Sequence, residues 1–292
     1  MSNVLVTGSG GGLGKFVVTE MKKQGHAVCQ VFHSGLEQIT EYGFHGDLKN
    51  KTFVENMFKN HVFDFVVHCA GRWNGFNSDM SIAHDNSVMM MNLLEAVSGI
   101  KKFIFVSSSA ADLNNPYPLS SYGYSKLFSE QLLQLVAKDK GFSYTIWRPF
   151  HIISPEEKYS PGSSHICTNL FHRHTILKEK INLSNMPKKR DISFIWAEDV
   201  AECIASFMQN PCSDGEIFNL GSANLRSPYD VAFHMLTLLD GDEITEKQCD
   251  DKEDDRFIRS YGILDWKPRT GFNECIKKFV QYKRSKHDFR SR

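Results

Sequence analysis

A parallel, doubly wound α/β sheet with a smaller C-terminal lobe is the fold class this 292-residue sequence predicts, and three observations predict it. Apolar runs of strand length alternate with longer amphipathic segments through the first half of the chain. A glycine-rich turn joins the first run to the first amphipathic segment in NVLVTGSGGGLGKFVVTEM. After the fifth run comes a Tyr-x-x-x-Lys pair, Tyr122 and Lys126 in SSYGYSKLFSEQLL.

The elements follow from that alternation. Strands are expected near 3–6, 27–32, 43–46, 63–68, 102–107 and 143–148, and helices near 12–24, 49–59, 79–98 and 121–140. Right-handed crossovers then place the strand C-termini along one cleft, which gathers Gly8 to Gly14, Asp47, Ala70 and Ser108. Beyond about residue 150, helices are expected near 166–178, 198–209, 228–239 and 271–283, with short strands between them. Residues 1–150 are therefore read as a dinucleotide-binding domain of Rossmann type. Residues 151–292 are read mainly as a substrate-binding lobe, with some segments returning to the first core.

In the opening segment Val4 to Val6 make a buried strand, and Phe16, Val17 and Met21 give the next helix its apolar face. A turn this rich in glycine lets backbone N–H groups approach a phosphate, and the following helix N-terminus adds its positive dipole end. Gly8, Gly11 and Gly14 fit Gly-x-x-Gly-x-x-Gly, while Gly8, Gly12 and Gly14 fit Gly-x-x-x-Gly-x-Gly. Both spacings differ from the Gly-x-Gly-x-x-Gly fingerprint. Leu13 completes the loop.

If the segment after Ser120 is helical, Tyr122 and Lys126 lie one above the other on one face, and Tyr124 points away. An ammonium beneath a phenol favours the phenolate and lowers its pKa from about 10, so the pair is expected to serve as a proton donor and acceptor near neutrality.

Composition narrows the classes. Lys plus Arg and Asp plus Glu both number 34, a formal net charge of zero. That leaves no electrostatic footprint for nucleic acid and no polybasic membrane anchor. No apolar run approaches the roughly 20 residues that span a bilayer, and the first strand begins at once, so no signal peptide is expected. The seven cysteines are scattered without a Cys-x-x-Cys pair, which points to reduced thiols in a cytoplasm and to no metal site. The acidic run from Asp250 to Asp255 is expected to be an exposed loop.

The order of glycine loop, serine, then Tyr-x-x-x-Lys resembles the short-chain dehydrogenase/reductase superfamily. Further segments resemble its extended branch, the NAD-dependent epimerase/dehydratase family of nucleotide-sugar enzymes. HGDLKN, FDFVVHCAG, DNSVMMMNLLEA, FIFVSSSA, WRPFHIISP, SFIWAEDVAECI, IFNLGS and LDWKPRTGF match family segments in the expected order from about residue 3 to about residue 280. The resemblance implies a bound NADP(H) or NAD(H), with contacts from Gly8, Gly11, Gly12, Leu13, Gly14, His33, Ser34, Asp47, Leu48, Ala70, Gly71 and Asn86. It implies a catalytic set of Ser108, Tyr122 and Lys126, with Lys126 also on the nicotinamide ribose, and substrate contacts from Ser109, Arg148 and His151.

Departures from the family pattern shape the rest. Phe32, followed by His33 and Ser34, stands where NAD-preferring members carry an acid. No carboxylate repels a 2′-phosphate there, so NADP is expected over NAD. Ser109 and Ala110 occupy the places of the dehydratase acid–base pair, which argues against dehydration of the usual 4,6-type. The Asn of the family's Arg-Pro-x-Asn stretch is His151, and the Gly before Pro155 is Ser154. Hydride transfer on a nucleotide-linked sugar, as a keto-sugar reductase or an epimerase, is the expected activity. The alternative is a non-catalytic NADP(H)-sensing regulator of the same fold. Such proteins typically lose the Tyr or the Lys, and here Ser108, Tyr122 and Lys126 all persist. A homodimer is expected through the helices 79–98 and 121–138, with Met89, Met90, Met91, Leu127, Leu132 and Leu135 offering the apolar surface.

Overall fold

Val4, Leu5 and Val6 are fully buried in β1 (Asn3–Thr7), as a strand covered on both faces requires. The computed structural model describes residues 1–33, 38–40, 43–73, 79–114, 120–162, 164–189, 192–241 and 255–288. Ser34, Cys249 and all of the acidic run except Asp255 lie outside the described residues.

The chain forms two units. The first comprises Met1–Pro149 and Ala201–Asn219. After β1 come α1 (Gly14–Lys23), β2 (Ala27–Phe32), β3 (Gln38–Thr40), β4 (Gly43–His45), α2 (Lys51–Asn60), β5 (Phe65–His68) and α3 (Met80–Ala96). Then follow β6 (Lys102–Val106), α4 (Ser121–Lys140) and β7 (Ser143–Pro149). Side chains start the helices where the sequence supplies caps. Asn50, Asp79 and Ser120 accept backbone N–H groups at the starts of α2, α3 and α4, and Gly141 (φ +73°) closes α4 in the left-handed region.

In the second unit (Phe150–Val200 and Leu220–Arg292) β8 (His151–Ile153) pairs in parallel with β9 (Phe194–Trp196). Around this pair lie α5 (Ile166–Phe171), the first turn of α6 (Ala197–Phe207), the end of β10 (Glu216–Leu220), α7 (Pro228–Asp240), α8 (Asp255–Leu264) and α9 (Phe272–Asp288). Its core joins Ile153, Phe171, Phe194, Trp196, Met235 and Phe279.

The main sheet has the order β10-β7-β6-β5-β1-β2-β4-β3. Pairings among β1, β2, β4, β5, β6 and β7 are parallel, and β3 lies antiparallel on β4. The chain leaves β1 toward β2 and β4 on one side, then returns to build β5, β6 and β7 on the other. The order reverses between β1 and β5, and in open α/β sheets ligands bind outside the strand C-termini at that reversal.

Five elements differ from the sequence expectation. β3 and α8 were not anticipated, because three residues give no alternation to read and α8 follows a segment that reads only as charged. The helix expected over 166–178 is α-helical only to Phe171 and continues as a π-type turn over His172–Ile176. Of the three consecutive methionines in α3, Met89 and Met90 are buried and only Met91 is exposed. In α4, Leu135 is exposed while Leu127 and Leu132 are half-buried.

Candidate active site

The turn after β1 is shaped by close backbone approach. Gly8 is left-handed (φ +67°), and a Cβ there would lie 2.7 Å from the Ala70 backbone at the end of β5. A Cβ on Gly14 would lie 2.1 Å from the Gly8 carbonyl oxygen, to which Gly11 donates its N–H at 2.9 Å. Leu13 occupies the cap position of α1, where no side chain caps the helix and no acid stands in its first turn. A bare-backbone cradle opening on an unneutralised helix start fits a phosphate-bearing cofactor.

At the end of β2, the Phe32 ring stacks on His45, centroids 4.9 Å apart, and His33 is exposed. Asp47 accepts the Lys49 N–H at 2.9 Å. Leu48 is buried, and its carbonyl and that of Lys49 accept from Asn92 Nδ2 at 2.9 and 3.0 Å. Asn86 is fully satisfied between two segments. Its Oδ1 accepts the Arg72 N–H at 2.7 Å, while its Nδ2 donates to the Arg72 carbonyl and to Ser125 Oγ. The amide thus ties the segment after Ala70 and Gly71 to the start of α4.

Ser108, Tyr122 and Lys126 are brought together where β6 ends and α4 begins. Ser108 Oγ accepts the Ala110 N–H at 3.1 Å and hydrogen-bonds the Tyr122 phenol. The edge of the Trp73 ring meets Tyr122 at a centroid distance of 4.9 Å. Lys126 Nζ donates to the Val106 carbonyl at 2.8 Å and sits 4.7 Å from the Phe105 ring centroid and 5.7 Å from that of Tyr122. Tyr124 is 60% exposed, on the face away from Tyr122.

The electrostatics differ from the sequence expectation. Burial pushes the Tyr122 phenol up to about 12, opposed by the Ser108 hydrogen bond, and Lys126 is not among the groups that shift it. Burial also brings the Lys126 ammonium down to about 8. The reason is geometric: the ammonium is directed at a backbone carbonyl, and desolvation outweighs what the neighbours give back.

Arg148, expected as a substrate contact, holds a carboxylate of its own unit. Its Nε and Nη2 donate to the two oxygens of Glu130 at 2.9 and 2.6 Å, within the first unit. A guanidinium fork engaged edge-on with a carboxylate has little left to offer a ligand from those atoms. Ser109 lies in the 3-10 turn that follows Ser108. His151 belongs to the second unit, where its ring meets Phe194 and His165, and burial brings it down to about 4.

Three residues near the catalytic set were not singled out from sequence. Glu130, eight residues after Tyr122, shares its helix face. The i, i+4, i+8 spacing was the available signal. Trp73 carried none. His68 interrupts the buried run FVVHCAG, and its Nδ1 lies 2.7 Å from Thr7 Oγ1. Its ring stacks on Phe105, and burial, then the Lys126 charge, bring it down to about 3.

A doubly wound sheet, a glycine cradle at its switch point and a Ser, Tyr and Lys set at the next strand end define a class of dinucleotide-dependent enzymes. The NAD dependent epimerase/dehydratase family model matches residues 4–221, and the chain belongs to that family. A probable GDP-L-fucose synthase of Drosophila melanogaster is 25% identical over 245 residues, 72% of this chain and 73% of its own. A putative UDP-glucose 4-epimerase of Methanocaldococcus jannaschii is 24% identical over 96% of this chain and 97% of its own. Among solved structures, the UDP-glucose 4-epimerase of Thermotoga maritima with UDP-glucose superposes with a TM-score of 0.79 at 20% identity, covering 98% of this chain and 99% of that one. The Bifidobacterium longum UDP-glucose 4-epimerase, solved with NAD+ and UDP, gives 0.77 at 20% identity over 98% and 99%. The chain is an enzyme of the extended short-chain dehydrogenase/reductase type.

His68 makes a stability prediction. Its folded pKa of about 3 lies below the unfolded value of 6.5, so between those values the unfolded chain binds more protons. The stabilisation is complete above about pH 6.5 and is lost as pH falls, by about 1.4 kcal/mol per pH unit for this one group. Denaturant unfolding of the unmutated protein and of His68→Gln at about pH 7 and about pH 5 is expected to show a shallower pH dependence in the variant. Parallel curves for the two proteins would contradict the assignment.

Proposed function

We propose that the protein transfers hydride at a carbinol or carbonyl carbon of a nucleotide-linked sugar, as a keto-sugar reductase or an epimerase. The observation that carries this reading is the convergence of Ser108, Tyr122 and Lys126 beside the Gly8–Gly14 cradle in one unit. In this reading the cradle and the start of α1 hold the diphosphate of the cofactor. Asp47 and Leu48 face its adenine, Ala70, Gly71 and Asn86 run along it, and Lys126 reaches the ribose. The nicotinamide ring, when bound, supplies or accepts the hydride.

The chain's own groups handle the proton. Tyr122, with its pKa near 12, is protonated at neutrality and donates to the substrate oxygen in the reducing direction. Ser108 hydrogen-bonds that oxygen and holds it in line. The Lys126 ammonium, charged below about pH 8, is held for the cofactor ribose, and the Ser108 hydrogen bond is what favours the phenolate left behind. Tyr122→Phe is expected to lower turnover by about 10²–10⁴-fold while cofactor binding survives. Lys126→Ala should damage turnover and cofactor affinity together, Ser108→Ala should lose less, and Tyr124→Phe should stay close to the unmutated protein. Assays with reduced cofactor and a panel of nucleotide-linked keto-sugars measure the ranking. Near-normal turnover by Tyr122→Phe would overturn the assignment.

The end of β2 supports NADP(H) over NAD(H). Phe32 and the exposed His33 present no carboxylate toward a ribose 2′-phosphate, and a preference for the phosphorylated cofactor suits a net reductase. Calorimetric titration is expected to give tighter NADP(H) binding, with Phe32→Asp shifting the preference toward NAD(H). Tighter NAD(H) binding by the unmutated protein would refute it.

A homodimer through α3 and α4 completes the reading. Tyr124, Phe128 and Leu135 are 60%, 41% and 66% exposed, and their spacing puts them on one stripe of α4. Met91 adds to the exposed apolar surface from α3. Light scattering is expected to give twice the 33.3 kDa chain mass and Phe128→Glu with Leu135→Glu to give the monomer. A monomeric unmutated protein at micromolar concentration would count against it.

A further inference from the structure

The carboxylate of Glu130 is 1% exposed, and burying a charge there is unfavourable unless its oxygens are fully partnered. They are. Ser107 donates its hydroxyl to Oε1, which also accepts from Arg148 Nε at 2.9 Å, while Oε2 accepts from Arg148 Nη2 at 2.6 Å. Ser107 precedes Ser108, Arg148 lies in β7, and Glu130 lies one helical turn beyond Lys126. We propose that Glu130 is a positioning residue for this enzyme: its carboxylate fixes α4 in register against the ends of β6 and β7 and serves as the counter-charge of Lys126. The proposal rests on the functional reading of Tyr122 and Lys126 above.

The surroundings of Lys126 support it. From β5 it meets His68, brought down to about 3, and Cys69 just beyond the strand end. From β6 it meets the Val106 carbonyl and the Phe105 ring. A Cβ on Gly71 would lie 3.4 Å from its Nζ and 3.8 Å from the Asn86 amide oxygen of α3. On its own helix it meets Tyr122 and Glu130. Burial lowers the ammonium, and the charges that raise it are those of Cys69 and Glu130. Burial pushes the Cys69 thiol up to about 12, so it is neutral at working pH. Glu130 is the standing anion, and Arg148 balances it.

Removing one member of the buried pair therefore changes the local charge, and removing both does not. Glu130→Gln removes the nearer anion and leaves Arg148 only the Asp112 carboxylate, 3.9 Å from its Nη1. Arg148→Met leaves the carboxylate uncompensated. The test is fluorescence titration of NADPH between about pH 6 and about pH 10 on the unmutated protein, both single variants and the double variant. The alkaline fall in affinity is expected to move down by about half a pH unit or more in Glu130→Gln, to move up in Arg148→Met, and to return in the double variant. A merely structural pair would lower melting temperature and affinity without displacing that limb. Unmoved limbs in both single variants, or a double variant displaced as far as a single one, overturn the proposal. If Glu130→Gln fails to fold, Arg148→Met against the double variant still reads the upward shift and its return. Failure of the unmutated protein to bind NADPH or NADH overturns the functional reading and this proposal with it, whereas binding with an unmoved limb overturns this proposal alone.

Discussion

Contact between two backbones that only glycine permits is the constraint on which the rest of this structure depends. At the C-terminal end of β1 the chain turns through Gly8 against Ala70 at the end of β5, and Gly14 passes over the Gly8 carbonyl. Any side chain at these places would push the turn off the sheet or α1 off the turn. The contact brings the start of α1 to the point where strand order reverses. There the N–H groups and dipole of a helix start face the crevice that the topology opens. Thr7, just before the turn, adds a polar tie to the same strand end through His68.

Around that crevice, the buried polar side chains of Asn86, Asn92 and Asp85 all have partners among the described residues. Asn86 joins the Gly71 segment to α4 through three hydrogen bonds, and Asn92 holds the loop after Asp47 by two carbonyls. Asp85 shows the same economy of charge. Burial raises its carboxyl, but Arg72, His84 and Lys49 bind it and bring it down overall. Satisfied polar networks of this kind specify one arrangement of segments, since a slip would strand a buried donor or acceptor.

What was legible in the sequence had short-range causes. The glycine turn is a strand, a turn and a helix in succession, and Tyr122, Tyr124 and Lys126 sort themselves by helical geometry alone. The parallel sheet follows from alternation, because buried parallel strands show as runs such as FVVH and FIFV. What was not legible had long-range causes. The direction of the Lys126 ammonium depends on a carbonyl in β6, 20 residues away. Arg148 meets Glu130 across a strand–helix contact, which their places in the sequence do not declare. Met89 and Met90 were read as surface because a helix apolar on two sides does not declare which side faces the sheet.

The second unit carries this reasoning furthest, because its polar contacts bridge long separations. Asp199 at the start of α6 accepts the Thr270 N–H and hydroxyl across 71 residues. Tyr261 of α8 hydrogen-bonds both backbone groups of Gly221. Glu157 accepts from the His165 backbone, the His165 ring and the Thr168 hydroxyl, and Lys283 of α9 donates to its carbonyl. Elements assembled by such contacts tolerate changes in the intervening chain so long as the end points meet. The first unit is tied in the same way, Thr7 meeting His68 across 61 residues and Lys102 meeting Ser213 across 111. The glycine turn and the Tyr-x-x-x-Lys pair keep the family pattern, while the departures fall in both units, Phe32, Ser109 and Ala110 in the first and His151 and Ser154 in the second.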